Sequence, residues 1–443
     1  MLQLREELAK LLGYNCYAEM SLANKMAKNV GSVLNLIDSL YDAASVRGRD
    51  ELAVLTQFAH EKLSISGTLQ PWDVGFVSEH YRKFSMGIDQ EKVAKYLPFP
   101  RVISGMFSMA ERLFDISVRE VEPTSVGAPS VWNKDVKLYK VTRRDNAQPL
   151  AYFYGDFYSR PEEKRSGAWM DVCATRWKQD NGVRLPIAYL VCNQPAPLSN
   201  DKAATMKFSD VLTLFHEFGH CLQHMLTTVD APQASGVSGI EWDFIEASVL
   251  FRRPCASDAV VASQFMENFC YEKDTLQQLS AHIDTYEPMP SSMIDALQEE
   301  RKFLAGIAML RQLQFSHVDL ELHRIPVESD AEWPVMVDRR IGDRYALVER
   351  IPEDRFLCSF AHIFGGGYSA GYYSYKWSEM YSADAYAAFE GKHGIEREQV
   401  GQRYRDTVLA LGGGTAPSDV WKAFRGRSEA DPSALLRHSG LLA

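Results

Sequence analysis

Apolar residues recur at the spacing of an α-helix along most of this chain, but one internal stretch follows a different pattern. In residues 1–115 leucine and alanine return every three or four positions, with breaks at Gly67 and around 98–100. Over 116–193 the pattern changes to short runs rich in Tyr, Val and Phe, bounded by turn residues. Helical spacing then returns over 194–443. The chain is therefore predicted to be mainly α-helical, with one small β-sheet whose strands lie at 136–141, 150–158 and 185–193.

One predicted helix carries a candidate catalytic motif. The stretch FSDVLTLFHEFGHCLQHML (208–226) contains no proline, has a plausible N-cap at Ser209, and repeats apolar residues at helical spacing. On such a helix His216 and His220 lie one turn apart on the same side, so both imidazoles can reach one ion. Glu217 is offset by one residue, where it can hold a water beside that ion without being a ligand.

This HExxH pattern predicts a catalytic zinc site with one Zn²⁺ per chain. Two histidines on an amphipathic helix can also be ordinary core or surface residues, so the motif needs a third ligand. Glu246, thirty residues after His216, is well placed to be that ligand. Two His and one Glu leave the fourth zinc position open for water, as hydrolytic sites require. Asp243, one turn earlier, could orient a ligand imidazole or could simply be a charge at a helix N-terminus.

Composition narrows the choice of partners and compartment. The chain has 443 residues and a net charge of −10, with acidic and basic residues intermixed, which argues against nucleic acid or an anionic membrane as a partner. No apolar run is long enough to span a bilayer. The seven cysteines form no CxxC pair, so a reducing compartment is expected and zinc ligation by cysteine is not.

Longer segments of the chain resemble the thimet oligopeptidase and oligopeptidase A family of zinc metallopeptidases, with the closer likeness to oligopeptidase A. The resemblance covers essentially the whole chain. It is carried by the HEFGH helix with Glu246 and by the phrases LQPWD (69–73), RSGAWMDVC (165–173), SQFMENF (263–269), HIFGGGYSAGYYSYKWSEMYSADAY (362–386) and KAFRGR (422–427).

The resemblance implies a fold and an activity. The expected fold is a mainly α, two-lobed zincin-type metallopeptidase, with a small β-sheet beside the HExxH helix and a deep substrate channel. All of 1–443 would be one catalytic region, divided into a helical part (1–115), a sheet region (116–193) and a helical zinc- and substrate-binding part (194–443). The expected activity is that of a zinc metalloendopeptidase (EC 3.4.24.-) that cleaves short unstructured peptides in peptide catabolism. A monomer is the default, and the cytoplasm is the expected compartment, with an organellar stroma or matrix as the alternative.

The resemblance also assigns roles to residues beyond the zinc helix. Tyr368, Tyr372 and Tyr375 step by four and then three, so their phenols are expected on one helical face. By itself such an aromatic stripe is more typical of core packing. The resemblance implies instead that Tyr372 and Tyr375 stabilise the oxyanion, while His362 and Tyr368 bind the substrate backbone. Glu217 is then the general base.

Two departures from the family pattern leave a second interpretation open. The family carries a long helical region before the position that Met1 resembles, so part of the channel wall is expected to be missing. An insertion at 247–262, containing Pro254, follows Glu246 directly. Both could arise from an imperfect gene model or splice variant, or from a genuine isoform. The alternative function is therefore a catalytically impaired homologue that only binds zinc or peptide. A dipeptidyl carboxypeptidase, which would use the same chemistry, is a third possibility.

Overall fold

The computed structural model describes residues 1–87, 89–122, 130–146, 148–197, 203–244 and 261–442. Most of these residues are helical, and the helices are α1 (Leu2–Leu11), α2 (Tyr17–Leu22), α3 (Val30–Lys62), α4 (Pro71–Met86), α5 (Gln90–Ala94), α6 (Phe99–Phe114), α7 (Phe208–Met225), α8 (Val261–Phe269), α9 (Lys273–Leu279), α10 (Ser291–Glu300), α11 (Ala305–Arg324), α12 (Trp333–Tyr345), α13 (Ala361–Phe364), α14 (Ser374–Ala387), α15 (Gly394–Tyr404), α16 (Pro417–Arg425) and α17 (Pro432–His438).

A small sheet lies between α6 and α7 in sequence. Its strands are β1 (Ile116–Glu120), β2 (Lys137–Arg143), β3 (Pro149–Tyr158), β4 (Trp169–Ala174) and β7 (Ile187–Gln194), and a separate hairpin is formed by β5 (Trp177–Gln179) and β6 (Gly182–Arg184). The spatial order of the sheet is β1-β2-β3-β7-β4. Only the β3–β7 pair is parallel, and the other neighbours are antiparallel. The prediction of a mainly helical protein with one small sheet is confirmed.

Two local details differ from the sequence prediction. Helix α7 begins at Phe208 with Lys207 as its N-cap, so Ser209 lies in the first turn instead of capping it. The Asp210 carboxylate accepts a hydrogen bond from the Lys207 backbone N–H at 3.1 Å, which ties the chain entry to that turn. The prolines at 98–100 start α6 instead of only breaking a helix, because a proline fits the first turn, where no intrahelical donor is needed.

The chain divides into two compact units. The first contains residues 1–88, 296–380 and 431–443, and the second contains 89–295 and 381–430. In the first unit the long helix α3 packs along α11. The two backbones approach at facing glycines, since a Cβ on Gly306 would lie 2.5 Å from the Gly48 nitrogen. Buried Glu51 of α3 accepts hydrogen bonds from the first N–H groups of α11, at Gly306 and Ile307.

The second unit is built on the sheet. Helices α6 and α7 meet it through an aromatic cluster in which Phe107 contacts Tyr139, Phe153 and Phe218. Helix α7 also packs on β7. The fully buried His224 fixes the C-terminal end of α7 to the sheet, because its Nε2 is 2.9 Å from the carbonyl oxygen of Ala174 in β4. Among the described residues no helix is long and apolar enough to cross a membrane.

Candidate metal and catalytic site

The residues of the HExxH pattern lie on α7 in the second unit. His216, Glu217 and His220 are 5%, 4% and 3% exposed, so all three side chains are almost withdrawn from water. The imidazole rings of His216 and His220 have centroids 5.0 Å apart and are inclined at 70°. One turn of helix therefore places two imidazole rings side by side, with a carboxylate on the adjacent residue.

A second helix orients the first of these histidines. The Nδ1 of His216 lies 2.6 Å from Oε1 of Glu267 in α8. A carboxylate at Nδ1 fixes the tautomer in which Nδ1 carries the proton and Nε2 keeps its lone pair. That arrangement is typical of metal-bound imidazoles, since the outer hydrogen bond sets the ring orientation and increases the ligand's basicity.

The glycine of the motif explains why α8 can come so close. A Cβ on Gly219 would lie 2.5 Å from both the carbonyl oxygen of Ala262 and the Cα of Ser263. Gly219 is one turn after His216, and Glu267 is one turn after Ser263. The Gly219–Ser263 and His216–Glu267 contacts are therefore neighbours along the interface between α7 and α8. The close approach at Gly219 therefore brings Glu267 within reach of His216.

The predicted third ligand lies outside the described residues. Glu246 falls between 244 and 261, and so does nearly all of the predicted insertion 247–262, whose last two positions belong to α8. Within the described residues no three His, Cys, Asp or Glu side chains converge in a way that could hold a metal. His216 and His220 fit the zinc requirement for two nitrogen ligands, and the role of Glu246 stays a prediction.

Two buried thiols, Cys192 and Cys221, interact electrostatically with Glu217. Burial, reinforced by the Glu217 carboxylate, raises the pKa of the Cys192 and Cys221 thiols. Both thiols are therefore protonated near neutral pH, and a protonated thiol is a poor metal ligand.

The second set of predicted residues lies in the first unit, where their rings cluster. Ring centroids of Tyr368 and Tyr375 are 5.3 Å apart, those of Tyr372 and Tyr375 are 4.9 Å apart, and His362 lies 5.8 Å from Tyr368 and 5.5 Å from Tyr372. Tyr368 and Tyr372 are buried and Tyr375 is half-buried. The structure thus brings the four side chains together, while their catalytic and substrate-binding roles stay predictions.

The expectation that the three tyrosines share one helix is wrong. Helix α13 ends at Phe364 and α14 begins at Ser374, so only Tyr375 is helical. Between the helices Gly367 has a φ of +89° and Ala370 a φ of +48°, and neither value fits a right-handed helix. The rings meet because this segment turns back on itself.

Helix α11 supplies contacts to Tyr372 that the sequence did not reveal. The Tyr372 phenol donates to Oε1 of Gln312 at 3.0 Å, and the ring meets Phe315 edge-on with centroids 5.6 Å apart. Neither Gln312 nor Glu267 was singled out as a site residue from the sequence. The only available signal for Glu267 was its place in the SQFMENF phrase, which was used for the family resemblance and not for a role.

The whole chain is similar to known peptidases. The model of peptidase family M3 matches residues 1–441. The chain is 46% identical to organellar oligopeptidase A (chloroplastic/mitochondrial) and 45% identical to probable cytosolic oligopeptidase A, both of Arabidopsis thaliana. It is 38% identical to oligopeptidase A of Escherichia coli. These alignments include all of this chain, but only 54%, 61% and 61% of the respective relatives, so the chain spans little more than half of their length.

A solved structure shows that the fold is also shared. The chain superposes on PZ peptidase A with inhibitor 2 with a TM-score of 0.53 at 13% sequence identity. The match covers 99% of this chain and 63% of that chain. At this identity the likeness concerns the fold alone.

Proposed function

Because this chain belongs to peptidase family M3, we propose that it is a zinc-dependent endopeptidase that hydrolyses internal bonds of short, unstructured oligopeptides. The resemblance to oligopeptidase A that was drawn from the sequence is confirmed by the similarity to its relatives. The observation that carries the zinc proposal is the buried His216–His220 pair with Glu267 on the Nδ1 of His216.

The proposed ligands are His216 and His220, through ring nitrogens, and Glu246, for one zinc per chain. Bound zinc supplies a Lewis acid at the scissile carbonyl and lowers the pKa of a coordinated water toward about 7. Glu267 fixes the His216 ring through Nδ1, so Nε2 is the nitrogen proposed to bind the ion. The two buried imidazoles are exposed too little for bulk water to compete freely for the ion.

The proposed proton carrier is Glu217. Its carboxylate takes a proton from the attacking water and delivers it to the nitrogen of the leaving amine, as a general base and then a general acid. Because Glu217 is 4% exposed, few waters can exchange with that proton during the reaction. The phenols of Tyr372 and Tyr375 are proposed to donate to the developing oxyanion, while His362 and Tyr368 hold the substrate backbone.

The remaining parts of the proposal follow from the family. A two-lobed fold around a deep channel would admit extended peptides and exclude folded proteins. The chain is proposed to act as a monomer, with no nucleic acid or membrane partner. The proposed compartment is the cytoplasm, and a stroma or matrix is the alternative because the named relatives include a cytosolic and an organellar form.

The test is hydrolysis of an internally quenched peptide by the zinc-supplemented chain, with bound zinc measured on the same samples. Glu217→Gln should lower kcat by about 10²–10⁴-fold while one zinc per chain stays bound. The matched control is Glu299→Gln, since that carboxylate is 65% exposed and pairs with the solvent-accessible Lys302, two residues beyond the end of α10, so the change should leave turnover unaltered.

The possible outcomes separate the competing functions. A wild-type chain that binds one zinc without cleaving peptide would be the impaired homologue. A chain that binds no zinc would refute the proposed ligand set. The role of Glu246 and the effect of the 247–262 insertion would then be examined first. Release of C-terminal dipeptides, identified by mass spectrometry in place of internal fragments, would indicate the dipeptidyl carboxypeptidase activity.

A further inference from the structure

A buried carboxylate in the first unit is surrounded by the backbone of the segment that carries Tyr372. Asp319, on α11, is 1% exposed. Its Oδ1 accepts from the Ala370 N–H at 2.9 Å, and its Oδ2 accepts from the N–H groups of Gly371 and Tyr372 at 2.8 and 2.9 Å. Three successive backbone donors thus converge on one anion, which is the geometry of an anion-binding nest.

The conformation of this segment requires such a holder. Ala370 has a φ of +48°. This left-handed conformation is unfavourable for any residue that has a Cβ, and it persists where the surrounding structure enforces it. The side chain of Ala370 is fully buried, so water cannot take over from the carboxylate. The hydrogen bonds to Asp319 therefore account for a turn that the local sequence would not adopt by itself.

A histidine and an arginine lie beside this carboxylate. Nδ1 of His323 lies 2.8 Å from the backbone carbonyl oxygen of Asp319 and 3.0 Å from its Oδ1, and Nε2 of His323 lies 2.8 Å from a guanidinium nitrogen of Arg5. A guanidinium has no acceptor, so Nε2 must accept and Nδ1 must carry the proton, which it donates to the Asp319 backbone carbonyl oxygen while lying beside the carboxylate. The hydrogen-bonding directions of Arg5, His323 and Asp319 are thereby fixed.

Helix α2 holds the same turn from another side. The Tyr17 hydroxyl is 3.0 Å from the Ser369 hydroxyl, and Ser21 donates to the Ser369 carbonyl oxygen at 3.1 Å. Asp319 therefore belongs to a wider set of contacts around 369–372, and it is the member that binds three consecutive amides.

The face of α11 that carries Asp319 also reaches the other end of Tyr372. Gln312 precedes Asp319 by seven residues, two helical turns, and accepts the Tyr372 phenol proton at 3.0 Å. Phe315, between them on the same face, contacts the ring. One helix face thus fixes the backbone nitrogen, the ring and the hydroxyl of Tyr372.

We propose that Asp319 is a positioning residue, which fixes the 370–372 turn and thereby aims the Tyr372 phenol at the oxyanion of the substrate. This inference rests on the proposed function for its catalytic consequence, while the anchoring of the turn can be tested without turnover. Gln312 holds the phenol in the resting enzyme. A phenol has one proton, so Tyr372 must release Gln312 before it can donate to an oxyanion.

The experiment compares Asp319→Asn with the wild type in the zinc-loaded full chain. The amide of asparagine places a donor where a carboxylate oxygen accepted, so it cannot satisfy all of these N–H groups. Hydrogen–deuterium exchange of peptides covering 365–375 should become at least about tenfold faster, since exchange reports local opening. The loss in kcat/KM should be about 10–100-fold and fall on kcat with KM little changed, because the misplaced group acts in the transition state.

The matched control is Glu321→Gln on the same helix. Glu321 is 4% exposed and accepts from Arg324 at 2.6 Å, so the change also removes a buried carboxylate charge from α11. It should leave both the exchange of 365–375 and the kcat unaltered. If Asp319→Asn does not fold, Tyr17→Phe is the second variant, because it removes the hydroxyl that contacts Ser369 in the same turn. It should raise the exchange of 365–375 and lower kcat by a few-fold.

Failure of this inference is distinguishable from failure of the proposed function. Unchanged exchange in Asp319→Asn overturns the anchoring role, and a loss of kcat equal to that in Glu321→Gln overturns the positioning role. A wild-type chain that hydrolyses no peptide counts against the proposed function, whereas the exchange comparison still decides whether Asp319 holds the turn.

Discussion

The contact between α7 and α8 yields a sharp prediction for the substitution Gly219→Ala. In an open helix this change is favourable by about 1 kcal/mol, because alanine has the higher helix propensity. Here the new Cβ would lie 2.5 Å from the Ala262 carbonyl oxygen and from the Ser263 Cα, whereas ordinary contacts of a Cβ begin near 3.4 Å. Both obstructing atoms belong to backbone, so no side chain can rotate away.

The helices must therefore separate by about 0.9 Å at this point to reach ordinary contact. Overpacking of this kind costs about 1–3 kcal/mol, and a clash with backbone belongs at the upper end. After subtraction of the propensity gain we expect a net destabilisation of about 2 kcal/mol.

The same displacement reaches His216, the proposed zinc ligand. If α8 moves as a rigid helix, the 2.6 Å contact between His216 Nδ1 and Glu267 Oε1 lengthens to about 3.5 Å. A hydrogen bond of that length contributes little, so zinc affinity should fall by about tenfold or more. Chemical unfolding followed by circular dichroism measures the first effect, and competition with a fluorescent chelator measures the second.

Gly75→Ala is the control. Gly75 is exposed in α4, and a Cβ there would have no neighbour within 4 Å, so the change should stabilise the chain by up to about 1 kcal/mol and leave zinc affinity unaltered. The reasoning is refuted if Gly219→Ala is as stable as Gly75→Ala and binds zinc as tightly as the wild type.

Two further predictions concern carboxylates of the second unit. Glu267→Gln should weaken zinc binding by about 10–100-fold without unfolding the chain, because a neutral amide orients the His216 ring less strongly; equal affinity in chelator competition would contradict this role. Burial would raise the pKa of Asp156, but hydrogen bonds from Arg160 and Lys164 among others outweigh burial and lower it below its usual range. Stability from this pairing is thus present above the unfolded pKa of about 3.9 and is lost as the pH falls through the lower folded value. Asp156→Asn should destabilise the chain by about 3 kcal/mol at pH 7 and leave zinc affinity unchanged. In a plot of the unfolding midpoint against pH, the variant should lose less stability than the wild type at acidic pH. If the wild-type and variant plots run parallel, the role assigned to Asp156 is wrong.

The periodic parts of the fold could be predicted from sequence because periodicity reports burial directly. Apolar spacing located α7 to within one or two residues, since its inward stripe includes the fully buried Val211, Phe215 and Phe218. The three predicted strands correspond to β2, β3 and β7, where Tyr, Val and Phe pack on both sides of the sheet. The short strands β1, β4, β5 and β6 went unpredicted because three to six residues give too little pattern.

The tyrosine cluster shows where periodicity misleads. Spacings of four and three between Tyr368, Tyr372 and Tyr375 fit a helix, yet the chain between Phe364 and Ser374 is a turn. The side chains meet because Asp319 binds the backbone of this turn from another helix. A local pattern cannot reveal a conformation that a distant residue imposes.

The same limit applies to the candidate metal site, and the separations show why. Glu267 is 51 residues from the histidine that it orients, and Asp319 is 51 residues from the first amide that it binds. Sequence spacing assigns a residue to a face of its own helix, but it does not say which face packs opposite. The sequence alone does not explain the glycine in HEFGH. The structure shows that Gly219 is where the backbone of α8 packs against α7. Substitutions at Gly219, Glu267 and Asp319 should therefore affect function through the aim of His216 and Tyr372, although none of the three is proposed to touch metal or substrate.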